Sequence, residues 1–473
     1  MVLADSPPCA LLQQQQRFFA TGQTRPYEFR RQQLLRLKAA VVEQQEKIIA
    51  ALGTDLGKPE FEARFEIVSV VNEIDFALKH LKQWMKPKRV ALTLMQQPGK
   101  AFQQPDPLGQ ILIIGPWNFP FSLVIQPLVG AIAGGNCGVL KPSEMAPTTA
   151  TITARLIESI FDPAYVTVVT GGVETSQNLL KDKFDHIFFT GGTVIGKIVM
   201  AAAAQHLTPV TLELGGKSPC IVTEDIDLKE TAKRITWGKF LNAGQVCIAP
   251  DYLLVPASLQ DPLLQAMKDC IHDYYGDNPQ TSPHYGRIVN DKQWHRLSQL
   301  IPQGEIYCGG QGDLGDRYIA PTILINPDRQ NTLMTEEIFG PLLPVIPYQT
   351  LEEAIAFVNA KPKPLALYLF SRDQQQQQQV LNCTTAGGVC INDTVMQVAV
   401  DTLPFGGVGP SGMGSYHGKA SFDTFSHTKS VLKKGFRFDL NWRYPPYTDQ
   451  KLAIMRRLLK QQSSWQNMGS KTY

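Results

Sequence analysis

From Gly109 the chain alternates in a way that few folds accommodate. The apolar runs Gln110–Ile114, Gly138–Leu140, Val166–Val169, His186–Phe189 and Val210–Leu214 are separated by segments long enough for helices. Such runs suit strands buried on both faces, and connections between parallel strands are right-handed, so the pattern predicts a mostly parallel, doubly wound sheet. Sheets of this kind bind nucleotides beyond the carboxyl ends of their strands. The usual G-x-G-x-x-G turn is missing. After the run that ends at Thr190 stands Gly191-Gly192-Thr193-Val194-Ile195-Gly196, opening a predicted helix, so a dinucleotide would be held in a variant manner. A second series of strand and helix signals runs from about Pro219 to Phe425, including Tyr252–Val255, Leu351–Asn359 and Gly388–Asn392, and predicts a second α/β domain. The chain opens with helical spacing over Tyr27–Leu52 and Phe65–Trp84, and a hairpin-like excursion lies between Lys88 and Asp106.

A length of 473 residues exceeds what one core usually serves, in keeping with two domains. The net charge of +3 arises from 45 basic and 42 acidic residues, too even a balance for a nucleic-acid-binding face. Eight cysteines, none in a C-x-x-C pair, argue against a zinc ribbon, a thioredoxin-type couple or a disulfide framework, and no metal-ligand spacing is evident. A reducing, cytoplasmic setting fits, and Met1–Leu12 lacks the features of a secretory signal. Pro107–Leu140 carries no charge at all, yet Pro116, Pro120 and Pro127 with four glycines divide it into a buried strand, a loop and a short helix rather than a membrane span. The glutamine runs Gln13–Gln16 and Gln374–Gln379 read as exposed helix faces.

Three residues carry candidate chemistry. Cys247 lies in Asn242-Ala243-Gly244-Gln245-Val246-Cys247-Ile248-Ala249-Pro250, where small residues and a proline favour a tightly turned, exposed backbone. Glu213 ends an apolar strand before Leu214-Gly215-Gly216-Lys217-Ser218-Pro219, which would set a carboxylate at a cleft edge. Asn118 sits in Pro116-Trp117-Asn118-Phe119-Pro120 just after a buried strand, where its amide can donate into the same cleft. Taken singly, each has a plainer reading: a buried cysteine, a surface ion pair, a turn asparagine.

Together and in this order the three motifs resemble the aldehyde dehydrogenase superfamily. The resemblance extends to Lys141-Pro142-Ser143-Glu144, Phe189-Thr190-Gly191-Gly192, Glu336-Glu337-Ile338-Phe339-Gly340-Pro341 and Leu403-Pro404-Phe405-Gly406-Gly407. The run Ser411-Gly412-Met413-Gly414-Ser415-Tyr416-His417-Gly418, with Ser421–His427, resembles most the class 3 and fatty aldehyde dehydrogenase branch. The resemblance implies a Rossmann-like cofactor domain (1–87 and 107–214), a second α/β catalytic domain (215–425), a small β oligomerisation arm (88–106 and 426–437) that makes a homodimer, and a tail (438–473). It implies that Cys247 is the nucleophile forming a thiohemiacetal and then a thioester, that Asn118 and the Cys247 N–H form the oxyanion hole, and that Glu213 activates the hydrolytic water. Lys141 and Glu144 would hold the adenosine ribose. Gly191, Gly192, Thr193 and Gly196 would lie along the diphosphate, Glu337 on the nicotinamide ribose, and Phe339, Trp117 and Leu214 beside it. Glu144 favours NAD, with NADP possible.

Phe119, Val246 and Ile248, with Trp117, suggest an apolar substrate tunnel, core packing being the alternative, and Gln397 stands where the branch often has histidine. The expected activity is oxidation of a medium- or long-chain, apolar or aromatic aldehyde. Transfer of the acyl group to coenzyme A is an alternative against which Glu213 argues, and an inactive binding protein is a third reading. His417 and His427 are expected to pack or cap. The basic amphipathic stretch Lys451–Lys460 either docks on the protein or touches a membrane surface peripherally.

Overall fold

The alternating runs fold as the parallel strands Gln110–Ile114, Cys137–Lys141, Val166–Val168, His186–Thr190 and Val210–Glu213 in a computed structural model that describes residues 8–93 and 96–457. In spatial order they run 210–213, 186–190, 110–114, 137–141 and 166–168, with Gly412–Met413 antiparallel beside 210–213. The winding reverses between Gln110–Ile114 and His186–Thr190, so a crevice opens beyond Ile114 and Thr190. The second sheet has seven strands in the order 305–308, 322–325, 342–348, 252–256, 219–222, 366–370 and 388–391, parallel except for the first. Leu351–Asn359 is a helix, with Thr350 accepting from the Glu353 N–H as its N-cap.

The charge-free run is accounted for by burial. Gln110–Ile114, the helix Ser122–Gly134 and Cys137–Lys141 are wholly or almost wholly inaccessible, and Gly130 and Gly134 let that helix lie against Phe425, where an added Cβ would come within 2.8 and 2.6 Å. Among the described residues no helix is long and apolar enough to cross a membrane. The predicted helix Tyr27–Leu52 is broken at Gln44 into Tyr27–Glu43 and Gln45–Leu56, and Gly57 at φ 57° ends the second. Phe65–Trp84 belongs to a longer helix, Glu60–Trp84.

One glutamine expectation is corrected. Gln15, in the helix Pro8–Ala20, is fully buried, and its amide donates to the carbonyls of Gly138 (3.0 Å) and Pro163 (3.2 Å). It fastens the helix to the strand Cys137–Lys141 and to the turn before the next strand, a role that a glutamine tract does not announce.

By internal contacts the chain divides into residues up to 85 with 106–427, and residues 86–105 with the chain from 428. The smaller unit carries a three-stranded sheet of Lys88–Val90, Gly99–Pro107 and Ser426–Lys434. Residues 449–457 are helical, with Leu452, Ile454 and Met455 exposed; the rest of the basic stretch lies outside the described residues.

Candidate active site

The helix Leu228–Phe240 runs into a backbone that few sequences tolerate: Asn242, Ala243 and Gly244 are all left-handed, at φ 51°, 52° and 73°. Asparagine and glycine suit that region, and Gly244 is required for a second reason, since a Cβ there would lie 2.2 Å from the Gly340 carbonyl. Buried Gln245 pins the turn. Its Nε2 donates to Asn242 O (3.0 Å) and Arg287 O (2.9 Å), and its Oε1 accepts from the Val289 N–H (3.0 Å). The chain leaves this turn at Val246-Cys247-Ile248, with Cys247 partly exposed and its neighbours buried.

The Asn118 loop is tied to the same turn. Asn118 Nδ2 donates to Gln245 O (3.0 Å), while Asn118 O accepts from Asn242 Nδ2 (3.0 Å) and Lys58 Nζ (3.0 Å). Lys58 is buried and paired with Glu66 at 2.6 Å, and the other Glu66 oxygen accepts from the N–H groups of Phe121 (3.1 Å) and Ser122 (2.9 Å). A pair taken so completely from water survives only because each charge is saturated with hydrogen bonds, and its effect here is to fix the loop geometry. The Asn118 loop is thus bonded to the turn from which Cys247 projects.

Cys247 and two carboxyls are shifted upward from their ordinary ranges. Burial pushes the Cys247 thiol up to about 12, Glu337 and Glu213 add to this, and the N–H groups of Cys247 and Ile248 at the sulfur oppose it. Glu213 is buried rather than at a cleft edge, neither carboxylate oxygen has a partner, and desolvation holds its pKa well above the usual carboxylate range. Burial also raises Glu337 to about 8; Asp251 adds to this, while the Gly216 N–H, Lys217 and Arg296 oppose it. In both carboxyls desolvation disfavours the charged form, as it does in the thiol.

The residues expected at a nucleotide gather around the crevice. Lys141, buried at the end of its strand, donates to Pro142 O (2.9 Å) and pairs with half-exposed Glu144 at 3.1 Å. Gly192 precedes the helix Thr193–Ala204, whose N-terminus has no side-chain cap, and an added Cβ there would meet open space. Uncapped N–H groups beside an open glycine fit a diphosphate. Gly191 and Gly196 serve packing instead, because their bare Cα atoms face Phe189 and Leu214 at 2.5 and 2.7 Å from a built Cβ. Thr193 donates its hydroxyl to Pro410 O (3.2 Å). Val194, Ile195 and Ile198 are exposed on the same helix, apolar surface that reads as core in sequence.

Glu337 lies over Gly215, where a Cβ would come 2.1 Å from its Oε2. Its loop is clamped: Lys217 Nζ donates to Leu333 O and Glu336 O (both 2.8 Å) and pairs with Asp251, whose Oδ1 accepts from the Ile338 N–H (2.9 Å). Phe339 sits at φ 51° with its ring edge-to-face against Trp117, 5.2 Å between centroids. Among the described residues no cluster of His, Cys, Asp or Glu is placed to hold a metal ion.

A cavity of about 180 Å³ opens onto Cys247. Phe119, Val246 and Ile248 line it as expected, and Phe65, Trp237 and Phe405 complete an apolar wall. Phe65 and Trp237 were not singled out in the sequence; nothing distinguishes them from core aromatics there. Gln397, between the cavity-lining Met396 and Val398, donates to the Tyr368 hydroxyl (3.2 Å), which in turn donates to Ile248 O (2.5 Å). Through Tyr368 it braces the cysteine turn.

Comparison with known proteins agrees with this architecture. The description "Aldehyde dehydrogenase family" matches residues 10–431. The chain is 48% identical over 447 residues to aldehyde dehydrogenase family 3 member A2 of Rattus norvegicus, covering 94% of this chain and 92% of that protein. It is 49% identical over 433 residues to 4,4'-diaponeurosporen-aldehyde dehydrogenase of Staphylococcus aureus, covering 91% and 94%. A substrate-bound structure of the Staphylococcus aureus enzyme AldH superposes with a TM-score of 0.93 at 46% identity, over 95% of this chain and 99% of that one. Two more distant structures, 27% and 26% identical, hold NAD+ and NADP. With the match running through both sheets and every motif of the crevice, the chain belongs to the aldehyde dehydrogenase family.

Proposed function

We propose that this aldehyde dehydrogenase oxidises medium- to long-chain, apolar or aromatic aldehydes to carboxylic acids through a thioester on Cys247. The observation that carries the reading is that Cys247 forms part of the wall of an apolar cavity while Asn118 is locked to its turn. The cofactor is NAD, with NADP possible, and when bound it supplies the hydride acceptor.

In this reading the aldehyde chain lies along Phe119, Trp237 and Phe405, where its burial contributes about 0.8 kcal/mol per methylene. The Cys247 thiol gives up its proton to solvent, and the sulfur bonds to the aldehyde carbon as the carbonyl π electrons move to oxygen. The resulting oxyanion accepts from the Asn118 amide hydrogen not used on Gln245 and from the Cys247 N–H. Glu213, when ionised, takes a proton from the water that hydrolyses the thioester. Its unpartnered oxygens leave it free to do so.

The test is NADH formation by purified protein across a chain-length series of aldehydes. Turnover whose kcat/KM rises with chain length supports the reading; turnover confined to short aldehydes, or none, overturns the substrate class. Asn118→Ala is expected to lower kcat by about 10²–10³-fold with a small change in KM, because an oxyanion donor acts on the transition state and not on the bound aldehyde. A change confined to KM would remove Asn118 from that role.

A further inference from the structure

His417 neither caps nor simply packs. It stands at the N-cap of the helix Gly418–Thr424 but makes no side-chain capping bond, and it occupies φ 77°, an unusual conformation for an imidazole residue. The position is held from several sides. Glu73, buried on the helix Glu60–Trp84, places Oε2 3.3 Å from His417 Nδ1, while its Oε1 accepts from the Gly418 N–H (2.9 Å) and the Ser421 hydroxyl (3.1 Å). The His417 N–H donates to Ser421 Oγ (2.8 Å). Tyr416 stacks on the ring at 4.1 Å and Phe405 stands against it at 5.8 Å. The other ring nitrogen, Nε2, is buried without a partner, and His417 forms part of the wall of the cavity that contains Cys247.

In the neutral imidazole a carboxylate at Nδ1 selects the tautomer that carries its proton there, leaving Nε2 as an acceptor. An apolar ring would stack on Tyr416 equally well but would leave buried Glu73 Oε2 without its partner, so stacking and the Glu73 pair account for the ring and for Nδ1, and Nε2 is the atom for which neither accounts. On the reading that this cavity receives the aldehyde, we propose that the Glu73–His417 pair is its polar specificity site, accepting a hydrogen bond from a hydroxyl group on the aldehyde's chain. Apolar pockets set ligand orientation through a few such fixed polar groups. A chain carboxylate or ketone has no hydrogen to donate to Nε2, so the site discriminates against these.

The experiment compares kcat/KM, in the full chain with NAD, for saturated aldehydes of one length that carry no substituent, a hydroxyl at successive carbons, or a terminal carboxylate. At the best position the hydroxyaldehyde is expected to exceed the unsubstituted aldehyde by about 10-fold. That ratio falls to about one in His417→Asn, chosen because asparagine tolerates positive φ, and by about 3-fold in Glu73→Gln, where the tautomer is less firmly fixed. A purely structural role would lower both rates together and leave the ratio standing. A wild-type ratio at or below one, a preference for the carboxylate, or an unchanged ratio in His417→Asn overturns the proposal. Should that variant fail to fold, the Glu73→Gln ratio decides in the same way. Turnover without hydroxyl discrimination sinks the specificity site alone, whereas no turnover with any aldehyde sinks the reading beneath it as well.

Discussion

Cys247→Ala is expected to abolish aldehyde-dependent NADH formation, with a fall on the order of 10⁵-fold, while NAD still binds. The loss is large because no other thiol is placed to substitute: among the described residues, Cys137 and Cys220 are buried within sheets and Cys247 is the cysteine on the cavity wall. The fold should tolerate the change. The turn is held by Gln245, Asn118 and the Gly244–Gly340 contact, none of which uses the sulfur. Dye-monitored melting and NAD titration therefore separate a chemical defect from a folding one. Residual turnover within 100-fold of wild type, in a variant that binds NAD normally, would rule out the thioester route. A neighbouring expectation concerns pH. Burial places the thiol at about 12 in the cofactor-free chain, so alkylation of Cys247 by a small electrophile should accelerate with rising pH across the neutral range.

The sheet was legible because burial on both faces leaves its own mark. Gln110–Ile114 and His186–Thr190 are uncharged, short and rich in branched or aromatic residues, and both are completely buried. The cysteine and asparagine motifs were legible for a related reason: left-handed backbone and close approach at Asn242 and Gly244 restrict which residues can stand there. What escaped is whatever depends on the facing element. Gln15 and Gln397 look alike in sequence, yet one anchors a helix to backbone carbonyls of the sheet and the turn beside it, and the other donates to a tyrosine hydroxyl. Gly196 matched a phosphate-turn position, but a helix–strand contact with Leu214 explains it. Glu73 and His417 are separated by 344 residues, and no local pattern tells a histidine that caps from one that is aimed and held. Glu213 was placed correctly at the end of its strand, but its depth was not, because depth is set by Gly412–Met413 pairing across it.

That depth gives Glu213→Gln its expected signature. The carboxyl is buried with no partner for either oxygen, and desolvation keeps it protonated into a range where an exposed glutamate would be fully ionised. As the base for thioester hydrolysis it must be ionised, so wild-type turnover should rise with pH, over a range higher than an exposed glutamate would give. Glutamine cannot take that proton. Steady-state turnover in the variant should fall by about 10²–10⁴-fold and lose the alkaline rise, while one equivalent of NADH per Cys247 still appears in a burst, because acylation precedes the step that needs Glu213. Stability supplies an independent check with a fixed sign. A carboxyl whose folded pKa lies above its unfolded value contributes stability that is fully present below the unfolded pKa and is lost as pH rises through the folded one. Wild type should therefore lose thermal stability toward alkaline pH more steeply than Glu213→Gln, which has no charge to bury, and the two melting curves should draw together in acid. A variant with neither a burst nor a shallower alkaline loss would place Glu213 before acylation, as part of the apparatus that readies the thiol and not the water.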